Sequence, residues 1–104
     1  MVATRGLPIA CSLTAPELQE RRRTVLQRVR RAVLEVKGIE DGYAYIFPSA
    51  SAWLSEVAGL IDLERQCCPF LQFRITVAPN DGPLLLEMTG PEGTKDFLLS
   101  TFNA

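Results

Sequence analysis

The chain has 104 residues, 47% of them hydrophobic and 22% charged, which is typical of one globular domain with its own core. No apolar run is long enough for a membrane span or a secretory signal, so we expect a cytoplasmic protein with reduced cysteines. Histidine is absent, which excludes Ser/His and Cys/His hydrolases and removes the commonest metal ligand.

The net charge of −1 conceals an uneven distribution of charged residues. Residues 17–37 contain seven basic and three acidic residues, a balance of +4, whereas residues 38–104 contain three basic and nine acidic residues, a balance of −6. A solvated helix face, or a face that docks an acidic protein partner, explains the arginines better than nucleic-acid binding does. No nucleic-acid-binding motif accompanies them.

Residues 1–13 are predicted to form an irregular lead-in, followed by a single α+β domain over 14–104. Thr14 as N-cap and Glu17 three residues later make a capping box, and Pro16 fits the first helical turn. The first helix should fray near residues 31–32, with its arginines opposite the apolar stripe. That stripe consists of Leu18, Val25, Val29, Ala32 and Val33.

Two strand–turn–strand–helix units follow the first helix. Residues 33–39 and 43–47 flank an Asp41-Gly42 turn, although a first helix continuing to Lys37 is the alternative. The second unit has alternating apolar residues in its two strands and a Pro- and Gly-rich turn between them. The middle helix, capped by Ser49 or Ser51, should run from about 51 to 67, and the last helix should start at 90–92. The strands of the second unit are 71–77 and 84–88, around the turn at 79–83.

The resulting order α-ββ-α-ββ-α is a weak internal repeat. It predicts an α+β two-layer sandwich, in which helices pack on one face of a four-stranded antiparallel sheet. If helices cover one face only, an apolar strip containing Ile46 and Leu85 on the other face could make the protein a homodimer.

The segment Glu64-Arg65-Gln66-Cys67-Cys68-Pro69-Phe70-Leu71 is the strongest local feature. Pro69 should end the middle helix near Cys67 and leave Cys68 extended. Both cysteines project from the apolar side of this helix, and Glu64 lies between them. A carboxylate in that position is unusual, because carboxylates are almost never buried without a partner.

The chain resembles a group of small uncharacterised bacterial proteins, some of which accompany heavy-metal resistance functions. The resemblance lies in the same segment and in the downstream Gly90-Pro91-Glu92-Gly93-Thr94-Lys95-Asp96-Phe97. These proteins also carry a Cys-x-Leu motif before an arginine-rich helix, here Cys11-Ser12-Leu13. They share a Glu-Asp-Gly-Tyr turn, here Glu40-Asp41-Gly42-Tyr43. The resemblance covers most of the chain and implies that the three cysteines belong together.

The leading functional hypothesis is a site for a thiophilic metal or metalloid ion. Its predicted ligands are Cys11, Cys67 and Cys68, with Glu64 as a fourth ligand or beside the ion. Thiolates select soft ions, and three of them suit Hg(II) or As(III), whereas Cu(I) and Zn(II) are also possible. The site requires the lead-in to cross the end of the middle helix.

The alternative hypothesis is a non-enzymatic interaction or dimerisation module in which the cysteines are small buried hydrophobes. Glu64 would then pair with an arginine of the first helix or with Arg65. An enzyme that uses the cysteines for redox or nucleophilic catalysis is the less favoured hypothesis. The cysteine pair lies at a helix C-terminus, where the helix dipole disfavours a thiolate.

Overall fold

The computed structural model describes residues 15–102. Within this range three helices and four strands alternate in the order α-ββ-α-ββ-α, which confirms the predicted α+β class and element order. Along the chain the elements are α1 (Pro16–Arg31), β1 (Glu35–Ile39), β2 (Gly42–Phe47), α2 (Ala50–Cys67), β3 (Gln72–Val77), β4 (Leu84–Thr89) and α3 (Thr94–Phe102).

The four strands form one antiparallel sheet in the order β1-β2-β4-β3. Each hairpin therefore contributes its second strand to the centre of the sheet and its first strand to an edge. This arrangement agrees with the repeat in element order, because the two strand pairs occupy equivalent places on either side of the centre.

The two faces of the sheet differ in burial. Tyr45 and Leu86 lie opposite each other in the register and are almost fully buried. The adjacent pair, Ile46 and Leu85, is half-buried and lies on the other face, because successive side chains of a strand alternate in direction. The core between the sheet and the helices also contains Phe47, Val57, Leu60, Cys67, Cys68, Phe70, Leu84, Met88, Leu98 and Phe102.

Helix α1 begins one residue later than predicted. Its N-cap is Ala15, in an extended conformation and with no side-chain cap hydrogen bond. Pro16 explains the shift, because proline is favoured at the first helical position and holds the preceding residue extended. The predicted N-cap at Thr14 is therefore wrong, and Thr14 itself lies outside the described residues.

Strand β1 begins two residues later than predicted, at Glu35. The amides of Ala32 and Val33 still donate to the carbonyls of Val29 and Arg30, 3.0 and 3.2 Å away. These bonds close the last turn of α1, so the chain is free to extend only after Val33. The alternative of a helix continuing to Lys37 is excluded.

Helix α2 has its N-cap at Ser49, one of the two predicted candidates, but Ser49 makes no side-chain cap bond. Ser51 instead bonds Asp81 of the β3–β4 turn, through its amide at 3.1 Å and its hydroxyl at 2.5 Å. These hydrogen bonds lower the pKa of the Asp81 carboxyl. The turn is therefore tied to the start of α2.

Across residues 15–102 no helix combines the length and apolar character that crossing a membrane requires.

Candidate thiol site at the end of α2

Helix α2 ends near Cys67, as the sequence predicts, and the end of the helix fixes the positions of the two cysteines. Cys67 is the last helical residue. Cys68 is already non-helical, with φ −124° and ψ 75°, and its amide donates to the Glu64 carbonyl at 2.6 Å. Pro69 imposes this stop, because the residue before a proline is driven out of the helical region. Both cysteines are fully buried.

Glu64 is also fully buried, one helical turn before Cys68, and is paired with Arg22 of α1. The Arg22 Nε lies 2.5 Å from Glu64 Oε2, and Nη2 lies 3.1 Å from Oε1. Two hydrogen bonds from one guanidinium to one carboxylate add both energy and geometric specificity to the ion pair. Burial opposes the charged form of Arg22, but the hydrogen bond and charge of Glu64 outweigh it and raise the pKa of Arg22.

The Cys68 thiol shares the same carboxylate. Its Sγ lies 3.7 Å from Glu64 Oε1, within the range of a sulfur hydrogen bond. Burial, and then the negative charge of Glu64, raise the pKa of the Cys68 thiol to about 12, although Arg22 opposes the rise. Cys68 is therefore a neutral thiol at physiological pH, and its S–H donates a hydrogen bond to the Glu64 carboxylate.

The two adjacent cysteines are in different chemical states. Cys68 is a free thiol, whereas Cys67 is disulfide-bonded. The expectation that the cysteines are reduced therefore does not hold for Cys67 in this structure.

Of the four predicted ligands, the structure describes Glu64, Cys67 and Cys68. Glu64 and Cys68 are in contact, and Cys67 is the neighbour of Cys68 in the chain. Cys11 lies outside the described residues. Within residues 15–102, no three Cys, Asp or Glu side chains are arranged so that they could hold a metal ion. A site with three or more Cys, Asp or Glu ligands therefore needs at least one of them from outside this range.

Arg22 is the residue that sequence reasoning placed on the wrong side of α1. All arginines were predicted to lie opposite the apolar stripe, but Arg22 lies four residues after Leu18 and three before Val25, within that stripe. The spacing of Arg22 from Leu18 and Val25 was the signal that could have placed it in the stripe from sequence alone. The prediction that Glu64 pairs with a first-helix arginine is correct for Arg22. Arg65 instead pairs with Asp62 on the surface of α2.

A second pair, Arg28 with Glu56 at 2.8 Å, also joins α1 to α2. Moving forward along α1 from Arg22 to Arg28 means moving back along α2 from Glu64 to Glu56, so the two helices are antiparallel. Two arginines of the basic helix α1 therefore pair with carboxylates of α2. These pairs account for part of the uneven charge distribution along the sequence. An acidic protein partner for the remaining arginines stays a prediction.

Comparison with known proteins finds no matching family model, no similar curated protein and no similar solved structure.

Proposed function

We propose that the protein binds a thiophilic metal or metalloid ion through thiols at the C-terminal end of α2. The ligands are Cys67 and Cys68, with Cys11 of the N-terminal segment as the third. Glu64 lies beside the ion or coordinates it. The observation that carries the proposal is the contact between the Cys68 thiol and the buried Glu64 carboxylate. The pairing of Glu64 with Arg22 is the arrangement that the alternative, an interaction module with structural cysteines, also predicts.

Charge balance supports this assignment. A buried ion adds charge to a region of low dielectric, where net charge is costly. The Arg22–Glu64 pair is neutral as a unit, so the negative charge of thiols that release their protons on binding can be balanced by the ion itself. Two thiolates balance Hg(II) or Zn(II), and three balance As(III), while Cu(I) is balanced by one. Zn(II) is the less favoured divalent ion, because structural zinc sites are four-coordinate.

The site is better suited to binding than to catalysis. A nucleophilic cysteine needs a thiolate at neutral pH, which a nearby cation or a helix N-terminus would favour. Cys68 follows a helix C-terminus, and its pKa is raised to about 12. The thiol will therefore react slowly with electrophiles, whereas a soft ion can displace its proton by forming a strong metal–sulfur bond. A reducing cytoplasm would provide the thiols that this function requires.

Titration of the reduced protein with Hg(II) and with phenylarsine oxide, a trivalent arsenical that bonds two thiols, tests the proposal. Wild type should bind one equivalent, and Cys67→Ser and Cys68→Ser should each weaken binding at least tenfold. Glu64→Gln should weaken it as well. Glu56→Gln is the control on the same helix, because Glu56 also pairs with an arginine of α1 but lies eleven residues before Cys67, about 16 Å along the axis of α2. Equal affinity in wild type and Cys67→Ser would refute the proposal.

A second candidate function is homodimerisation through the sheet face that points away from the core. Ile46 and Leu85 lie directly opposite each other on this face, in the two central strands. Glu35 and Thr76 lie at either end of the same row. A second copy that covered this row would bury the apolar pair, and the cysteines would then serve the core alone.

A further inference from the structure

We propose that a cleft between the C-terminal ends of α1 and α3 binds a small organic anion, in which a carboxylate or phosphate is attached to an apolar body. The volume of this basic cleft is about 410 Å³. Its walls include Arg23, Leu26, Arg30, Arg31 and Phe102. Neither Glu64 nor Cys67 nor Cys68 lines it, so the inference goes beyond the proposed ion site and does not depend on it.

The charge of the basic cleft favours an anion. Three of its lining residues are arginines and none is acidic. Elsewhere on α1, by contrast, Arg22 and Arg28 pair with carboxylates of α2. Arg23 bonds Glu20, but these two side chains are 63% and 65% exposed, and water screens such a pair. A bound anion can therefore compete with Glu20 for Arg23 and meets a net positive charge.

Arg30 is held in position at the basic cleft by a bond to α3. Its Nε donates to the carbonyl of Phe102, the last residue of α3, at 2.7 Å. Carbonyls at a helix C-terminus carry partial negative charge, which by itself would repel an anion. The guanidinium offsets this charge and remains protonated, because arginine does not lose its proton in proteins. The end of α3 is thus compatible with a bound anion.

The base of the basic cleft is apolar. Leu26 and Phe102 belong to the hydrophobic core, and apolar atoms form most of the cleft wall. Leu26 and Arg30 follow Arg23 by three and seven residues, so all three lie on one side of α1. The methylene stems of arginines can cover apolar surface while their charged ends stay in water. A ligand with an apolar body and one charged end matches both parts of the cleft.

The size of the basic cleft favours a small molecule over a macromolecule. Its volume falls within the range of about 300–1,000 Å³ that is usual for small-molecule sites. An acidic protein or an anionic membrane would contact the exposed ends of Arg23 and Arg31 without filling the apolar base. The occupant that accounts for the charge and the concave shape together is a small amphipathic anion.

Octanoate and octyl phosphate are suitable probes, with octanol and acetate as comparisons, and binding can be followed by amide shifts in proton–nitrogen NMR spectra. Both probes should bind and should shift the amides of residues 23–31 and 101–102 most strongly. Octanol lacks the charge and acetate lacks the apolar body, so each should bind at least tenfold more weakly. Failure of both probes to bind, octanol binding as tight as octanoate, or largest shifts outside these residues would overturn the proposal.

Charge-removing variants test the role of the arginines. Arg23→Gln and Arg31→Gln should each weaken octanoate binding at least fivefold, and both positions are exposed, so the fold should be unaffected. Arg28→Gln is the control, because Arg28 lies on the same helix but pairs with Glu56 and does not line the cleft. It should bind octanoate as wild type does.

Unchanged affinity in Arg23→Gln and Arg31→Gln would overturn the proposal, and so would equal weakening in all three variants, which would indicate a general effect of net charge. Vesicles of phosphatidylglycerol separate a free anion from a lipid surface. Wild type that sediments with these vesicles but binds neither octanoate nor octyl phosphate would assign the arginines to a membrane and refute the small-molecule site.

Discussion

At the scale of single residues, two arginine–carboxylate pairs between α1 and α2 differ sharply in environment. Glu64 is fully buried and Arg22 is mostly buried, whereas the side chains of Arg28 and Glu56 are 52% and 40% exposed. An exposed pair contributes little, because water and salt screen it. A buried charge that loses its partner is left in a medium that cannot solvate it. The two pairs should therefore respond very differently to mutation.

We expect Arg22→Met to lower the free energy of unfolding by about 3–5 kcal/mol, because Glu64 is left buried and unpaired. Arg28→Met should cost less than about 1 kcal/mol. The double variant Arg22→Met/Glu64→Met should recover most of the loss, since the whole pair is replaced by apolar groups. Urea unfolding of the four proteins measures these differences. Equal losses for the two single variants would contradict the burial argument.

The Cys68 thiol makes the metal-free, reduced protein sensitive to alkali. Its pKa is raised by burial from an ordinary 9.0 to about 12 in the folded state. The resulting stability is fully present below about pH 9, and it is lost as the pH rises through the folded pKa. Between about pH 9 and pH 11 the loss attributable to this thiol should be about 2 kcal/mol.

Urea unfolding at these two pH values, in wild type and Cys68→Ala, isolates the contribution of the thiol. Tyr45 also has a raised pKa because of its burial, so the difference between the proteins is the quantity to compare. The alkaline loss should be smaller in Cys68→Ala. The same pH dependence in both proteins would show that the Cys68 thiol is not the group responsible.

At the scale of elements, the centre of the sheet depends on close approach of β2 to β4. Gly42 lies opposite Thr89 at the end of this strand pair. A Cβ on Gly42 would overlap the backbone carbonyl of Met88 and approach Thr89 Cα within 2.9 Å. Backbone atoms cannot move aside without breaking the ladder. Glycine is therefore required here for space.

Gly42→Ala should destabilise the protein by about 2 kcal/mol or more, within the range for overpacked sites. Gly59, in the middle of α2, is the matched control because a Cβ there meets no atom within 4 Å. Gly59→Ala should stabilise the protein by about 0.5–1 kcal/mol through its helix preference. Thermal unfolding of both variants provides the comparison. If the two substitutions changed the melting temperature in the same direction, the prediction would be contradicted.

At the scale of the whole molecule, the helices within residues 15–102 pack on one face of the sheet, and the second candidate function depends on the opposite face. If a second copy binds there, analytical ultracentrifugation should show a dimer that Ile46→Lys and Leu85→Lys convert to monomer. Val77→Lys is the control, because Val77 is half exposed at the edge strand β3. A wild-type monomer at every concentration would exclude this mode of assembly.

The amino-acid sequence by itself determined the element order and the stop of α2. Alternating apolar residues define strands, helical spacing defines helices, and Pro69 ends α2 through a purely local steric effect. It also identified Glu64 as anomalous, because its position in the apolar side of α2 can be read from spacing alone. These features depend on neighbours in the chain, so no tertiary information was needed.

Only the tertiary structure decided the strand order, the partner of Glu64 and the states of the cysteines. The order β1-β2-β4-β3 depends on how two hairpins pair, and local patterns do not encode that choice. Arg22 meets Glu64 across 42 positions of sequence because α1 and α2 pack antiparallel. The raised pKa of Cys68 then follows from burial, and burial is created by the elements that surround the thiol.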